Sequence, residues 1–464
     1  ELTKEYFDQI RHRDPDIHAY LTVTEEEAFA AAERADQTFC GKGNHPVSLL
    51  TGIPMSLKDN ICTNGIRTTC ASKMLEHFIP PYSASLWNTL RKQGAVLLGK
   101  VNLDEFAMGG STETSYFGVT ANPLDTTRVS GGSSGGSAAS VASGMCAYSI
   151  GTDTGGSVRQ PASFCGVVGF KPTYGRVSRY GIVAYASSLD QAGVLAQNVS
   201  DAAAIIEAIA GLDPLDAATV DRPLSLQREM KRGIKELKIG IPQEYYGDGV
   251  QEEVRSAVFN AVKKLEGLGA RAEELSLETA SYALPAYYII ACAEASSNLA
   301  MFDGIRFGYR AEGYTDLDSL YKLSRSQGFG TEVKRRILLG TYVLSSGHCD
   351  AYYKKALKVR ALIAKAYQSA FEKCDVLITP TAPTTAYHIG AANKDPVQNY
   401  MADFCTCSPN LAGLPAMSIP CGFDKNGMPI GMQILAKPFD EAALCRVGFA
   451  YEKAVKDRGL NDGV

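Results

Sequence analysis

From about residue 50 onward, short apolar segments alternate with stretches of helical periodicity, and this alternation limits the folds open to the chain. Residues 95–99 (AVLLG) form a continuous apolar run of strand length, and residues 86–91 before them have the spacing of a short helix. The strand pattern returns at 148–150, at 237–242 and at 376–379. Strands without polar alternation are typical of a sheet that is covered on both faces. The sequence therefore predicts an α/β fold, with helices on both sides of a large sheet.

A chain of 464 residues is long enough for two or three average domains, yet no boundary is evident in its pattern. Residues 1–36 predict a helical segment at the N-terminus. Residues 211–236 are polar and rich in turn-forming residues, but a strand pattern resumes directly after them, so we interpret them as a long surface excursion. A last predicted strand at 428–436 precedes a final helix. We therefore expect a single domain over residues 1–464.

The charge balance argues against broad contact with polyanions. With 46 basic and 50 acidic residues, the formal net charge is −4, which gives no reason to expect a basic face for nucleic acid or for an anionic membrane. No apolar run approaches the length of about 20 residues that a membrane-spanning helix needs, and the charged N-terminus does not have the pattern of a secretory signal. We expect a cytoplasmic protein of bacterial type, with an organelle left open because the sequence begins at Glu1 and not at Met.

The 12 cysteines are scattered, without a CxxC pair or the spacing of a zinc site. Reduced thiols in a cytosol-like compartment are the simplest interpretation. Cys405 and Cys407 are the closest pair, and we interpret them as small core residues in preference to a metal or redox site. No metal site is predicted.

A glycine- and serine-rich stretch, SGGSSGGS at residues 130–137, is open to three interpretations. A flexible linker has this composition, but linkers do not continue into a run such as SAASVASGM, whose small residues suit a tightly packed helix. A nucleophile elbow of the GxSxG type fits the stretch around Ser133, but it requires a histidine downstream, and neither His348 nor His388 lies in a supporting context. The third interpretation makes Ser133 part of a site with a second serine and a lysine.

A second serine, Ser157, follows two glycines in GTDTGGSVRQPA at residues 151–162. An aliphatic hydroxyl needs a partner that accepts its proton as it attacks, and this partner is usually an imidazole held by a carboxylate. None of the six histidines lies in a motif-like stretch, so a lysine becomes the candidate base. A lysine acts as a base only when its amine is neutral, and burial away from water favours that form.

Three motifs together resemble the landmarks of the amidase signature family: GIPMSLKDN around Lys58, GGSSGGSAAS around Ser133 and GTDTGGSVRQPASFCG around Ser157. They stand in the family's order and at the expected interval between the serines, and FKPT follows at residues 170–173. The resemblance implies that Ser157 is the nucleophile, that Ser133 bridges the proton transfer and that Lys58 is the final base. It also implies the family's fold, a single domain with a mixed sheet of about 11 strands. The signature core would span about 50–200, and the remainder would complete the sheet and the substrate pocket.

The loop before Ser157 has two further predicted roles. The oxyanion of a tetrahedral intermediate needs preorganised N–H donors, and the resemblance assigns these to the backbone amides of Thr154, Gly155 and Gly156. Asp153 and Arg159 flank these donors, and we interpret them as an ion pair that steadies the loop.

The second half of the chain indicates one branch of this family. Residues 284–308 and the segments VKRRILLGTYVLSSG and NLAGLPAMSIPCG are similar to the glutaminase subunits of tRNA-dependent amidotransferases. This resemblance implies that glutamine is hydrolysed to supply ammonia, with which a partner subunit converts Glu-tRNA(Gln) to Gln-tRNA(Gln). It further implies a heterotrimer with two other subunits, charged tRNA contacted mainly through a partner, no cofactor in this chain, and ATP and Mg²⁺ used by the partner subunit.

A glutamine pocket needs a carboxylate for the α-ammonium group and a cation for the α-carboxylate group. By their places in the motifs NYMADF and VKRRI, Asp403 is expected to be the carboxylate and Arg336 the cation, with Arg335 as an alternative. Tyr287 is expected to line the site, and the neighbouring Tyr288 is the alternative to it.

Some features leave other interpretations open. Three residues differ from those usual in the family, and they could alter the packing near the predicted pocket: Met301, Cys405 and Cys407. For Lys58, a surface pair with Asp59 is the alternative to a catalytic role. The alternative functions are a free-standing amidase that hydrolyses other carboxylic amides, and a catalytically idle scaffold that only binds partner subunits.

Overall fold

The structure is a computed structural model that describes residues 1–42, 46–391 and 400–456. Within these residues it has thirteen strands: β1 (Tyr20–Val23), β2 (Pro54–Lys58), β3 (Val96–Val101), β4 (Ala121–Asn122), β5 (Asp125–Val129), β6 (Tyr148–Asp153), β7 (Val168–Lys171), β8 (Gln191–Ala196), β9 (Lys238–Pro242), β10 (Arg271–Leu275), β11 (Val376–Pro380), β12 (Ala416–Phe423) and β13 (Pro429–Ala436). Eleven of them form one mixed sheet in the order β1-β3-β2-β6-β8-β7-β12-β13-β11-β9-β10, and β4 pairs with β5 in a small separate sheet. The predicted large mixed sheet is confirmed.

Helices account for most of the remaining regular structure. The described residues contain fourteen α-helices: α1 (Leu2–Ile17), α2 (Glu25–Phe39), α3 (Ser85–Lys92), α4 (Gly135–Ala142), α5 (Arg159–Cys165), α6 (Val199–Ile209), α7 (Leu226–Glu229), α8 (Glu252–Gly267), α9 (Ala283–Asn298), α10 (Leu317–Gly328), α11 (Thr331–Leu344), α12 (Tyr353–Ala370), α13 (Cys407–Leu411) and α14 (Glu441–Lys456). They lie on both faces of the sheet. Along β3, for example, Val96 and Leu98 pack in one apolar cluster and Leu97 packs in the other.

The two strands that carry the chemistry are neighbours in the middle of the sheet. Strand β2 pairs in parallel with β6, with Ser56 opposite Ser149 and Leu57 opposite Ile150. Every residue of both strands is buried. Because parallel strands end at the same edge of a sheet, the last residue of β2, Lys58, lies beside the end of β6, which leads into the loop before Ser157.

The N-terminal segment differs from the prediction of a helical segment over residues 1–36. Helix α1 ends at Ile17, since His18 adopts a left-handed conformation with φ 58° and the Asp14 carboxylate accepts from Ala19 N at 2.7 Å. The chain then forms β1, which pairs antiparallel with β3 at one edge of the sheet, before α2 begins. The feature that the sequence-based prediction lacked is this four-residue strand between two helices.

The SGGSSGGS stretch is not a linker, because all of residues 130–137 are buried and they lead into α4. A side chain at Gly136 would meet the backbone of Asn102, and one at Gly132 would meet the Asp104 carboxylate and the backbone of Ser111. The small residues therefore allow a close approach between segments.

Two other expectations concern the second half of the sheet. After the polar excursion at 211–236, strand β9 joins the same sheet beside β11. The predicted strand at 428–436 is β13, but the sequence analysis missed its partner β12, which contains a proline and a glycine that weaken a strand pattern.

Candidate active site

Lys58 ends β2 with its side chain completely buried. Its Nζ donates to Ser133 Oγ at 2.7 Å, to Ser134 Oγ at 2.9 Å and to Thr152 Oγ1 at 3.0 Å. The amine is therefore held mainly by hydroxyl groups, and one of them belongs to the serine that the sequence analysis placed beside it.

Asp59, the neighbour of Lys58, does not pair with it. The Asp59 carboxylate is buried, lies 3.0 Å from Lys100 Nζ and accepts from Thr69 N at 2.8 Å. The interpretation of Lys58 and Asp59 as a surface pair is therefore wrong. No salt bridge to Lys58 occurs in the part of the chain that the structure describes.

The surroundings of Lys58 favour its neutral form. Burial lowers the pKa of the amine from its ordinary value to about 7, and this effect outweighs the opposing influence of Asp104, Asp153 and Asp190. Near neutral pH a substantial fraction of the amine therefore lacks the extra proton, which is the state that a general base requires.

Ser133 and Ser157 lie on two segments that are in contact. Ser134 N donates to Ser157 O at 3.1 Å, and the Gly132–Ser133 peptide bond is cis. Ser133 is fully buried, whereas Ser157 is 8% exposed, so Ser157 is the serine that a substrate can reach. Among the described hydrogen bonds, Lys58 to Ser133 is formed and Ser133 to Ser157 is not.

Sequence reasoning missed two of the residues that hold the amine. Ser134 Oγ accepts from Lys58 and donates to Thr152 O at 3.1 Å. Thr152 Oγ1 accepts from Lys58 and also from Asn60 Nδ2 at 3.1 Å. The parallel pairing of β2 and β6 would have been a signal for Thr152, because the ends of such strands meet at one edge, but only the strand at 148–150 was predicted. No comparable signal distinguished Ser134 from the serine before it.

Asp153 and Arg159 form the predicted ion pair, which is completely buried. Arg159 Nη2 donates to Asp153 Oδ1 at 2.9 Å, Arg159 Nε donates to Oδ2 at 3.0 Å, and Asn410 Nδ2 donates to Oδ1 at 2.8 Å. Burial raises the pKa of the Asp153 carboxyl, but the charge and hydrogen bonds of Arg159 outweigh it, and the pKa lies well below its usual range. The pair braces the loop between β6 and α5.

The loop itself supports a narrower oxyanion site than the sequence analysis expected. Gly156 N donates to Asp153 Oδ1 at 2.9 Å, so this amide is already bonded, and the expectation that it serves as an oxyanion donor is corrected. Within residues 1–42, 46–391 and 400–456, the amides of Thr154 and Gly155 donate to no acceptor. Thr154 is fixed through its side chain instead, since its Oγ1 donates to Asp190 Oδ1 at 2.7 Å.

Neither glycine of this loop, Gly155 or Gly156, could carry a side chain without a collision. A side chain at Gly155 would meet the ring of Tyr287, and one at Gly156, which has φ 133°, would meet the side chain of Thr406. Thr406 Oγ1 also donates to Gly155 O at 2.6 Å. The loop is therefore enclosed on the side that faces α9 and α13.

A cavity of about 180 Å³ lies next to the serine segment. Its lining includes Gly110 and Ser111, which lie close to Gly132, and also Arg336 and Asp403. The two predicted pocket residues thus border the same cavity.

Asp403 and Arg336 are held by tyrosines. Tyr288 Oη donates to Asp403 Oδ2 at 2.6 Å, and Arg336 Nη1 donates to Tyr185 Oη at 2.7 Å. The Arg336 guanidinium lies 5.3 Å from the ring centre of Tyr288 and 5.7 Å from that of Tyr400. Burial raises the pKa of Asp403 to about 6, although the Tyr288 hydrogen bond and the Arg336 charge oppose the shift.

The expectation for Tyr287 is corrected, because Tyr288 lines the cavity and Tyr287 does not. Tyr287 is 3% exposed and lies against Gly155, underneath the loop. Arg335 also borders the cavity, but its side chain is 40% exposed, whereas that of Arg336 is 4% exposed. Of the two arginines, Arg336 is the desolvated one.

Glu332 is a further residue of the cavity that the sequence did not reveal. Its Oε1 accepts from Arg336 Nε at 2.8 Å and from Tyr400 Oη at 3.0 Å, and its other oxygen accepts from Arg335. It lies one helical turn before Arg336 in α11. It therefore fixes the direction in which the guanidinium points.

The remaining candidates lie apart from this chemistry. Cys405 and Cys407 are buried, and no cluster of metal-ligating side chains occurs in the described residues. Met301 is 44% exposed. His348 and His388 bond to Ser345 and Thr127, so the elbow interpretation with a downstream histidine is not supported. Across the described ranges, no helix combines the length and the apolar run that crossing a bilayer requires.

Comparison with known proteins agrees with this fold. The sequence profile of the amidase family matches residues 1–445. The chain therefore belongs to the amidase family.

Within that family, proteins named as the A subunit of glutamyl-tRNA(Gln) amidotransferase are similar to the chain over almost its whole length. The protein of that name from Thermosynechococcus vestitus is 56% identical, over 98% of this chain and 94% of the relative. The one from Caldanaerobacter subterraneus is 56% identical, over 98% of this chain and 93% of the relative. The crystal structure of the Thermotoga maritima protein of that name has a TM-score of 0.81 at 42% identity, covering 97% of this chain and 91% of the other.

Proposed function

We propose that this chain is the glutaminase subunit of a tRNA-dependent amidotransferase, which hydrolyses glutamine so that ammonia can convert Glu-tRNA(Gln) to Gln-tRNA(Gln). The observation that carries the proposal is one cavity with a desolvated guanidinium and a carboxylate beside a buried serine–lysine pair. The names of the relatives, at 56% identity over nearly the full length, support it.

The cavity has the charges that an α-amino acid needs. Arg336 uses Nε and Nη1 for Glu332 and Tyr185, whereas no acceptor for its Nη2 occurs among the described residues. A substrate α-carboxylate can accept from that nitrogen. The Asp403 carboxyl has a pKa of about 6, so near neutral pH it is mostly ionised and can bind the α-ammonium group. The proposal requires that the side-chain carboxamide then extends from this cavity to Ser157.

In the proposed reaction, Ser157 Oγ attacks the carboxamide carbon while its proton passes through Ser133 Oγ to Lys58 Nζ. A C–O bond forms, and the carbonyl π bond opens to an oxyanion that accepts from the amides of Thr154 and Gly155. The oxyanion then re-forms the carbonyl, the C–N bond breaks, and the nitrogen takes the proton from Lys58 and leaves as ammonia. Water hydrolyses the acyl-serine by the same proton route and releases glutamate.

Proton transfer from Ser157 to Ser133 requires a hydrogen bond between the two hydroxyl groups, and the structure does not contain this bond. Catalytic hydrogen bonds in unliganded sites are often long or unformed and tighten when the substrate binds. The Ser134–Ser157 backbone contact at 3.1 Å already holds the two segments together, so the proposed contact forms between segments that are neighbours before the substrate binds.

The remaining parts of the function belong to partners. Because the relatives are named as one subunit of an amidotransferase, we expect a complex with two other subunits, to which the ammonia passes. The ligation itself would use ATP and Mg²⁺ in a partner subunit, and charged tRNA would be contacted mainly there. The proposed glutamine hydrolysis needs no resident cofactor in this chain.

Two alternatives are testable beside this one. A free-standing amidase for other carboxylic amides would not need the ionic groups of the cavity, and an idle scaffold would not need a lysine with a pKa of about 7. The ionic cavity favours the glutaminase.

The test is glutamate formation from glutamine by the chain together with its two partner subunits. Ser157→Ala should lower this activity by about a thousandfold or more, because the nucleophile is lost. Ser143→Ala is the matched control, since this buried serine lies just after α4 and bonds only to that helix. Substantial glutaminase activity in Ser157→Ala would contradict the proposal, and full activity of the isolated chain on uncharged amides would favour the free-standing amidase.

A further inference from the structure

Arg336 and the loop before Ser157 are connected by a continuous path of buried contacts. Arg336 Nη1 donates to Tyr185 Oη at 2.7 Å, and Tyr185 N donates to Asp190 Oδ2 at 2.9 Å. At the other end, Thr154 Oγ1 donates to Asp190 Oδ1 at 2.7 Å. The path therefore joins the guanidinium of the cavity to Thr154, whose amide is one of the two proposed oxyanion donors.

Asp190 is unusual in its surroundings. It is 5% exposed, and it accepts from Tyr185 N, from Ala186 N at 3.1 Å and from the Thr154 hydroxyl. No salt bridge to Asp190 occurs in the part of the chain that the structure covers. A buried carboxylate without a cation is costly unless its hydrogen bonds are well made, so its neighbours are fixed in direction.

The consequence for Thr154 is geometric. Its hydroxyl donates to Asp190, which restricts the side chain and the backbone that carries it, and its backbone N–H has no acceptor among the described residues. Tyr185 is also fixed from two sides, since its backbone bonds to Asp190 and its ring lies 5.6 Å from the Arg336 guanidinium. A small movement of Arg336 is therefore transmitted to the loop through two well-packed residues.

We propose that Tyr185 and Asp190 are positioning residues that hold the oxyanion loop and link its geometry to Arg336, so that an α-carboxylate on the substrate raises the rate of the chemical step as well as the affinity. This inference rests on the proposed function. Its basis is that binding energy at a remote part of the substrate accelerates a reaction when it is realised in the transition state.

The experiment measures kcat and KM in the complete complex for glutamine and for γ-aminobutyramide, which lacks the α-carboxylate. Thr154→Val removes the hydroxyl that bonds to Asp190, and it should lower kcat on both substrates by about 10- to 100-fold. Thr154→Ser should recover most of that loss. Asp190→Asn should lower kcat at least as much as Thr154→Val, because it also weakens the contacts with Tyr185 N and Ala186 N. The double variant should lose less than the product of the two single effects, because both changes weaken the Thr154–Asp190 contact.

Tyr185→Phe tests the link to Arg336, and its small change in shape favours correct folding. It should lower kcat for glutamine about tenfold and lower kcat for γ-aminobutyramide much less, since only glutamine engages Arg336. An equal loss on both substrates, or a change in KM alone, would overturn the link. Wild-type kcat in Thr154→Val would overturn the positioning role, even if Asp190→Asn failed to fold. A wild-type complex without glutaminase activity would instead contradict the proposed function.

Discussion

Lys58 Nζ and Ser133 Oγ lie 2.7 Å apart in a region where both side chains are completely buried. The contact joins the end of strand β2 to the segment before helix α4, which are 75 residues apart in the sequence. Its significance is electrostatic, because the amine is surrounded by hydroxyl groups and is separated from the carboxylates that would keep it protonated. The pH dependence of the reaction follows from this arrangement.

Activity should rise as the pH is raised through about 7. Burial lowers the pKa of Lys58 to about 7, so the amine is protonated below this pH and is a base above it. A second rise near pH 6 should come from Asp403, which must be ionised to bind the α-ammonium group. The measurement is kcat/KM for glutamine and for glutaramate, which lacks that group. The rise near 7 should persist with glutaramate and the rise near 6 should vanish; a flat profile between pH 6 and 8 would contradict the role of Lys58.

Arg336→Lys should raise KM for glutamine about 10- to 100-fold and should also lower kcat for glutamine, as the proposed link to the oxyanion loop requires. An ammonium group cannot reproduce the planar fork that bonds to Glu332 and Tyr185 while Nη2 remains for the substrate. Arg335→Lys is the matched control one residue away, with a smaller expected effect because that side chain is 40% exposed. Steady-state kinetics on glutamine and on γ-aminobutyramide distinguish the two arginines. Equal KM changes in both variants would assign the α-carboxylate to neither residue alone.

Gly155→Ala should impair both stability and turnover. The added methyl group would meet the ring of Tyr287, and overpacking of this kind costs about 1–3 kcal/mol. The loop must shift to relieve it, which moves the amides of Thr154 and Gly155. Urea unfolding and kcat measure the two effects. The control is Gly267→Ala at the end of α8, where the added methyl group meets nothing, and stability there should be unchanged or slightly higher.

Arg159→Met should be strongly destabilising, by about 3–5 kcal/mol, because it leaves the Asp153 carboxylate buried without its partner. Adding Asp153→Asn to the same protein should restore part of the loss, since no charge then remains buried. Lys322→Met provides a comparison, because it breaks an ion pair with Asp318 that is largely exposed and should change stability little. The urea midpoint of each variant measures the difference. A small effect of Arg159→Met would show that Asn410 and the loop amides suffice for Asp153.

Local sequence patterns were sufficient for only part of the elements that carry the chemistry. Strand β6 begins at the predicted strand 148–150, and the loop after it is marked by glycine and serine, whereas β2 (PMSLK) contains a serine and a lysine and was not predicted as a strand. The buried pair of Asp153 and Arg159 was predicted because the two residues flank the same loop. Family resemblance then placed Lys58 and Ser133 together, which no spacing in the sequence could do.

The sequence could not predict which way individual side chains point or which residues they contact. Successive residues of a helix point about 100° apart, so nothing in the sequence decided whether Tyr287 or Tyr288 faces the cavity. The hydrogen bond from Gly156 N to Asp153 depends on a turn that only the folded loop defines. Glu332 acquires its role from three contacts, two of them within its own helix and one with Tyr400.

Strands β1 and β12 were also not predicted, because their local sequence patterns are weak. Strand β1 has four residues between two helices, and β12 is interrupted by Pro420 and Gly422 where its pairing with β13 shifts register. Tertiary pairing forms both strands despite weak local signals.

The tight packing of residues 130–137 divides the site into a half that tolerates no change and a half that does. A side chain at any glycine of this stretch would collide with its neighbours, so the part of the enzyme that breaks bonds is fixed in its dimensions. The wall formed by α11 and the residues around Asp403 is built from side chains and not from glycine backbone, so its size and charge can vary without a collision in the serine segment. A designer who wishes to retarget the enzyme to a different amide should therefore change that wall and retain the contact between Arg336 and Tyr185.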